Sequence, residues 1–301
     1  RGIDKQLRQI DRMRQLYVRR EYDLYILSDH GMTPSRPFRW AFGETLQQFI
    51  AAHTGQEVRS GEAGPETEGL PEARVRFLLD ELEGLEQRPQ ATLSARMLRA
   101  TRKRLEASLL AEALEADWDL SRRQDITVRN SGSLAHVYFD VTSRQMDLGE
   151  VVLLYPALVE ALVEHEGLSL VAGREGDEVV LTGRAGTLWL APQGERLEGQ
   201  NPLQGFSQPA WAAAQIARLA RFPHAGDLIL FGAWDGQRVV CFEEQVASHG
   251  GLGGPQGAPF MAYSRRERLR PDSIENSEGV YALFAALYGL EGRGAGESSE
   301  A

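Results

Sequence analysis

One cysteine, Cys241, stands in the whole chain. No internal disulfide can form, and a zinc site built from cysteines is excluded. Basic residues are also short, 33 Lys and Arg against 43 Asp and Glu, for a formal net charge of −10. That balance argues against nucleic-acid backbone binding, which needs clustered cations. No apolar run approaches the roughly 18–20 residues of a membrane span. The apolar share, 42% of 301 residues, is ordinary for a globular chain and excludes disorder over most of its length. The chain opens on Arg1 rather than Met, and Ile3 to Leu16 already reads as helix. We therefore expect a fragment whose N-terminal part precedes Arg1, so the lack of a signal peptide decides nothing about location.

What is present alternates between helical and extended patterns. Ile3, Leu7, Ile10, Met13 and Leu16 recur at three- and four-residue spacing, which predicts an amphipathic helix. Tyr22 to Leu27 reads as a buried strand that ends at Ser28-Asp29-His30-Gly31. A polar cluster at the carboxyl end of a strand is where open α/β sheets place ligands. Thr45 to Ala52 reads as a second helix. Residues 1–56 thus form the first part of a core. Residues 57–125 change character: a Gly, Glu and Pro-rich loop is followed by two Leu, Ala, Glu and Arg-rich stretches with helical periodicity. This predicts a helical insertion, either an amphipathic pair packed on the host domain or a coiled-coil partner surface.

Residues 126–292 return to the core pattern. A strand is expected over Leu134 to Val141 and a helix over Leu148 to Val163, and His165 to Gly173 includes the apolar Leu168-Ser169-Leu170-Val171. A β pair is expected around the turn at Gly183 to Gly186, and a helix over Pro209 to Ala220. A hairpin is expected from Asp227 to Phe242 around Trp234-Asp235-Gly236-Gln237. Ser277 to Leu290 reads as a closing helix, and 293–301 as a flexible tail. Alternating strands and helices make the class α/β.

Three places carry chemistry. Asp29-His30 pairs a carboxylate with an imidazole, both ligands of catalytic zinc, although the same pair also serves as a capped turn. His249 sits in Ser248-His249-Gly250-Gly251, where glycine permits close backbone approach; the plain alternative is a flexible loop with an incidental histidine. His224, in Phe222-Pro223-His224, is either a donor near a site or a surface residue at a turn. His53, His136 and His165 read as structural. No Gly-x-Ser-x-Gly is present, since Asn130-Ser131-Gly132-Ser133 does not match it, and no Walker A or dinucleotide glycine fingerprint occurs. Cys241, in an apolar strand, reads as buried and inert.

Ser28-Asp29-His30-Gly31 after an apolar strand, followed near the C-terminus by Ser248-His249-Gly250-Gly251, resembles the alkaline phosphatase superfamily. The resemblance is nearest to its type I phosphodiesterase/nucleotide pyrophosphatase branch, in its bacterial members. It implies a three-layer α/β/α fold with a mostly parallel central sheet. It also implies a phosphoester hydrolase with two divalent ions, zinc or alternatively manganese, about 4 Å apart. Asp29 and His30 would bind the ion that activates the nucleophile, and His249 the other. The family's Ser or Thr nucleophile and its remaining ligands lie on the N-terminal side of the Asp-His-Gly motif, hence before Arg1. Thr33 follows the motif and is not promoted to that role. The 301 residues alone are therefore expected to be inactive, or nearly so. A small phosphoester or nucleotide is the expected substrate, nucleic acid is not an expected partner, and membrane attachment would come from the preceding part of the chain. The alternative is a non-catalytic binding or scaffolding protein that keeps a hydrolase fold.

Overall fold

The computed structural model describes residues 2–16, 22–59, 126–263, 269 and 274–290. The helical insertion expected over 57–125 lies outside them except for 57–59, and so does the tail at 293–301. In chain order the described elements begin with α1 (Gly2–Leu16), β1 (Ile26–Leu27), β2 (Thr33–Pro37), α2 (Phe38–Phe42), α3 (Leu46–Thr54) and β3 (Val58–Arg59). They continue with β4 (Ile126–Ser131), β5 (Leu134–Phe139), α4 (Leu148–Leu154), α5 (Pro156–Glu164), β6 (Leu168–Glu175), β7 (Glu178–Gly183), β8 (Gly186–Ala191) and β9 (Gly194–Gly199). The last are α6 (Pro209–Ala220), β10 (Leu228–Gly232), β11 (Val239–Cys241), β12 (Ala247–Ser248), a 3-10 turn at Gly254–Gly257, β13 (Met261–Ala262) and α7 (Ser277–Tyr288).

The chain divides into two compact units, Arg1–Asp29 with Phe260–Ala301, and His30–Pro259. In the smaller unit α1 forms as its spacing predicts, with Arg8 paired to Asp4 and Arg14 to Asp11 along the helix. None of its residues is buried. Tyr22 to Leu27 is not the buried strand its composition suggests. Only Ile26 and Leu27 are extended, paired antiparallel with β13, and Tyr22 and Leu27 are exposed. The side chain of Asn276 caps α7 by accepting from the amides of Glu278 and Gly279.

The larger unit is built on an eight-stranded sheet of order β3-β4-β5-β10-β6-β7-β8-β9. Within it only β3 and β4 pair in parallel, and every other neighbour is antiparallel. The mostly parallel, alkaline phosphatase-like sheet expected from the sequence is therefore wrong. The physical reason lies in the turns. β4–β5, β6–β7, β7–β8 and β8–β9 are each joined by two residues, a length that closes a hairpin and cannot carry the crossover that parallel neighbours need. Two crossovers lie fully within the described residues: α4 and α5 join β5 to β6, with β10 running between those two strands in the opposite direction, and α6 joins β9 to β10, which run in the same direction.

Helices cover both faces, because the strands alternate two apolar sets. Val128, Val137, Leu228, Leu230, Val171 and Val180 pack with α4 and α5. Ile229, Phe231, Ala172, Leu181 and Leu188 pack with the Ala-rich α6. Two further expectations change. Leu148 to Val163 is not one helix, since Tyr155 leaves helical geometry ahead of Pro156 and α5 restarts at the proline. The turn expected at Trp234 to Gln237 does close antiparallel, with Trp234 bridged to Val239 and the Val240 amide donating to Ala233, but its two strands part: β10 enters the large sheet, whereas β11 joins a separate sheet of order β11-β2-β12. The Asp235 carboxylate accepts from the amides of Gln237 and Arg238, and this turn redirects the chain.

Asp227, buried ahead of β10, accepts from the amides of Phe139 and Met146 at 2.7 Å each, joining the end of β5 to the approach to α4. Burial pushes its carboxyl up to about 6, against the opposing pull of those two amides. The folded state then holds the Asp227 proton more tightly than the unfolded chain does. Its stabilising contribution is full below about pH 4 and is lost as pH rises through about 6. Urea unfolding of the protein and of Asp227→Asn, which mimics the protonated group, should show the balance shifting against the native residue by roughly 2–3 kcal/mol between about pH 4 and about pH 7. Parallel pH profiles would contradict this assignment.

Candidate functional site

Strand β2 runs through the centre of the small sheet, parallel to β11 and antiparallel to β12. Its residues alternate strictly, with Thr33, Ser35 and Pro37 buried and Pro34 and Arg36 exposed. Ser248 stands opposite Thr33, so the segment leading into β2 and the one leaving β12 meet at one end of the sheet. His30, three residues before β2, and His249, directly after β12, lie on these segments. Their rings stack with centroids 3.9 Å apart and planes at 12°, and both side chains are half-buried. The structure thus brings together two of the three residues singled out by the motifs. The third, Asp29, is exposed and is the last residue of its segment in the smaller unit.

His30 Nδ1 lies 2.7 Å from the carbonyl of Gly31. A carbonyl oxygen only accepts, so Nδ1 carries a proton and donates. Metal-ligating histidines are oriented by this kind of bond. Behind His249, the amide of Ser133 donates to its carbonyl at 3.3 Å. This places the β4–β5 turn directly under the His249 loop. A side chain at Gly132, where φ is +62°, would bring its Cβ within 2.2 Å of that carbonyl. Asn130-Ser131-Gly132-Ser133 is thus a support for the histidine loop.

The centre of the arrangement is Gln256, 3% exposed. Its Oε1 accepts from the Ser133 hydroxyl and the Gly251 amide, and its Nε2 donates to the carbonyls of Leu252 and Gly253. Its backbone amide donates to Thr33 Oγ1, and its carbonyl accepts from the Gly31 amide. Thr33, fully buried, donates in turn to the Gly253 carbonyl. Gly31 is obligatory here, because a Cβ at that position would lie 1.9 Å from the Pro255 carbonyl oxygen. No motif marks Gln256. The signal available in the sequence is a polar residue standing inside a glycine run, after Pro255.

The remaining candidates fall elsewhere. His224 is exposed at a turn, where its carbonyl accepts from the Tyr138 hydroxyl. His53 Nδ1 donates to the Phe49 carbonyl at the end of α3. His136 accepts from the Gly226 amide, and His165 accepts from the Gly167 amide among Phe38, Phe42 and Phe49. Burial lowers the pKa of both. Cys241 is buried in β11.

An imidazole lone pair lies in the ring plane. Two nearly parallel rings with centroids 3.9 Å apart do not chelate one ion with Zn–N bonds of about 2.0–2.1 Å. Their spacing is close to the roughly 3.5–4 Å between the ions of a two-ion centre, so the pair could give one imidazole to each. It does not complete such a centre: catalytic zinc takes three protein ligands, and among the described residues no group of three or more His, Cys, Asp or Glu is placed to hold an ion. Comparison of the chain with family models, with curated proteins and with solved structures returns no match. Among the described residues no helix is long and apolar enough to cross a membrane.

Gln256→Leu keeps the side-chain volume and removes four hydrogen bonds. Each buried polar group left without a partner costs about 1–3 kcal/mol, so we expect a loss of about 3 kcal/mol or more in urea unfolding. The mutual ring-current shifts of His30 and His249 in NMR spectra should be lost with it. Unchanged stability and unchanged histidine resonances would show that Gln256 does not hold the site.

Proposed function

We propose that His30 and His249 are imidazole ligands of a two-ion centre in a metal-dependent phosphoester hydrolase of phosphodiesterase or nucleotide pyrophosphatase type. The observation that carries this reading is the meeting of two His-Gly motifs from opposite ends of the chain, in parallel planes at the spacing of a two-ion pair. Neither ring is placed by the other alone. Thr33, Gly31 and Gln256 fix one side, and Ser133 and the Gly132 turn fix the other. The bound ions would supply Lewis-acid stabilisation of charge on the phosphoryl oxygens. The chain's own part is to hold each imidazole in place before binding, so that little ordering is left for that moment. His30 does this by donating from Nδ1 to the Gly31 carbonyl. A ligand role for Asp29 rests on the Asp-His-Gly motif alone.

Metal binding is the direct readout of this proposal. Calorimetric titration with Zn²⁺ or Mn²⁺ should show uptake that His30→Ala and His249→Ala each weaken by about tenfold or more, while His53→Ala leaves it unchanged. If neither variant changes metal uptake, the stacked pair is packing and the hydrolase reading fails.

A further inference from the structure

A second concave site lies in the larger unit, away from any residue used above as a ligand. It is a cavity of about 480 Å³ beside the start of β6, the β7–β8 turn and the Trp234 turn, within the size range of small-molecule sites. Arg36, Arg184 and Arg238 line it. The register of β2 against β11 pairs Arg36 with Val240, so strand alternation puts Arg238 on the same face as Arg36. Arg36 and Arg238 also act on the same carboxylate. Asp235 is held below its ordinary pKa first by the Arg238 and Gln237 amides and then by those two guanidinium groups. Arg184, on the facing turn, donates to the Glu164 carbonyl.

The charge balance at this cavity is unusual for an acidic chain. Three guanidinium groups face two carboxylates, Glu166 and Asp235, and Asp235 already accepts from the amides of its own turn. Among the described residues none of the three arginines makes an ion pair within 4.0 Å. Guanidinium forks match phosphate oxygens bidentately and tolerate partial desolvation better than ammonium groups. Three such groups around one small volume call for a ligand that concentrates several negative charges, as linked phosphates do.

We propose that this cavity binds a small polyanion bearing two or more linked phosphate groups, held by Arg36, Arg184 and Arg238. The site needs no metal, so it stands or falls independently of the His30–His249 centre. Trp234 forms one wall and packs directly on the neighbouring loop: a Cβ at Gly253 would lie 2.5 Å from its Cγ. The Gly253 carbonyl in turn accepts from Thr33 and Gln256.

The test is calorimetric titration of the full chain with inorganic pyrophosphate in the presence of EDTA. We expect a dissociation constant below about 1 mM. Arg36→Gln and Arg238→Gln should each weaken binding by about tenfold, as expected for loss of a charge-assisted hydrogen bond. His30→Ala should leave binding unchanged. All three arginines are exposed, so thermal unfolding of the glutamine variants should match that of the parent chain. No binding at millimolar pyrophosphate would overturn the proposal. So would binding that survives the Arg36→Gln, Arg184→Gln, Arg238→Gln triple variant.

Discussion

The arrangement at the histidine pair depends on one buried amide. The side chain of Gln256 has two acceptor positions and two donor hydrogens, and all four are used by groups from the β4–β5 turn and from its own glycine loop. Its backbone adds bonds to Thr33 and Gly31. Three segments distant in sequence are tied by one residue. A buried polar group with every position satisfied specifies one arrangement, because any displacement leaves several partners unpaired at once. The glycines around it follow from this. Gly31 must carry no side chain for its amide to reach the Gln256 carbonyl, given how close the Pro255 carbonyl lies.

Local structure was legible in the sequence where the signal is local. α6 spans Pro209–Ala220 as its alanine-rich run and N-terminal proline indicate. α3 begins behind Thr45, whose hydroxyl and Gln48 form a reciprocal cap. The β pair around Gly183 to Gly186 forms as expected, but pairing between strands distant in sequence was not legible, because apolar runs do not say which neighbour they choose. Val58-Arg59 pairs in parallel with β4 across a long stretch of sequence, and Val239–Cys241 leaves its apparent hairpin partner for β2. A composition reading counts strands and helices in alternation and infers parallel crossovers. The two-residue turns at Gly176-Asp177 and Arg184-Ala185 each enforce an antiparallel neighbour whatever follows.

The candidate site divides in the same way. His30 and His249 could be named from the sequence because each is flanked by glycine and follows a short apolar segment, and they meet in the structure. The groups that hold them could not. Ser133 attracted notice only as part of a failed nucleophile pattern, and its role depends on a hairpin tip packing under a loop far along the chain. Gln256 carries no chemistry of its own, so a search for acids, bases and nucleophiles passes over it. Ligands announce themselves by residue type, whereas their supports are defined by who is buried beside whom.

Strand β2 connects these features mechanically. Its side chains alternate between the buried set, Thr33 and Ser35, and the exposed set that includes Arg36. A slip of one residue would bury the guanidinium and expose both hydroxyls, so the register must be held firmly. It is held at both hydroxyls. Thr33 bonds Gly253 and Gln256, and Ser35 Oγ donates to the Gln245 carbonyl at 2.6 Å. The same register therefore sets the end of the strand beside His30 and the face that carries Arg36. Both proposed sites are thus positioned by one five-residue strand. This is why the strand lies between two partners although its composition, Thr-Pro-Ser-Arg-Pro, is poor for a sheet. Its two prolines weaken the backbone ladder, and the side-chain bonds of Thr33 and Ser35 to neighbouring backbone replace part of what the prolines remove.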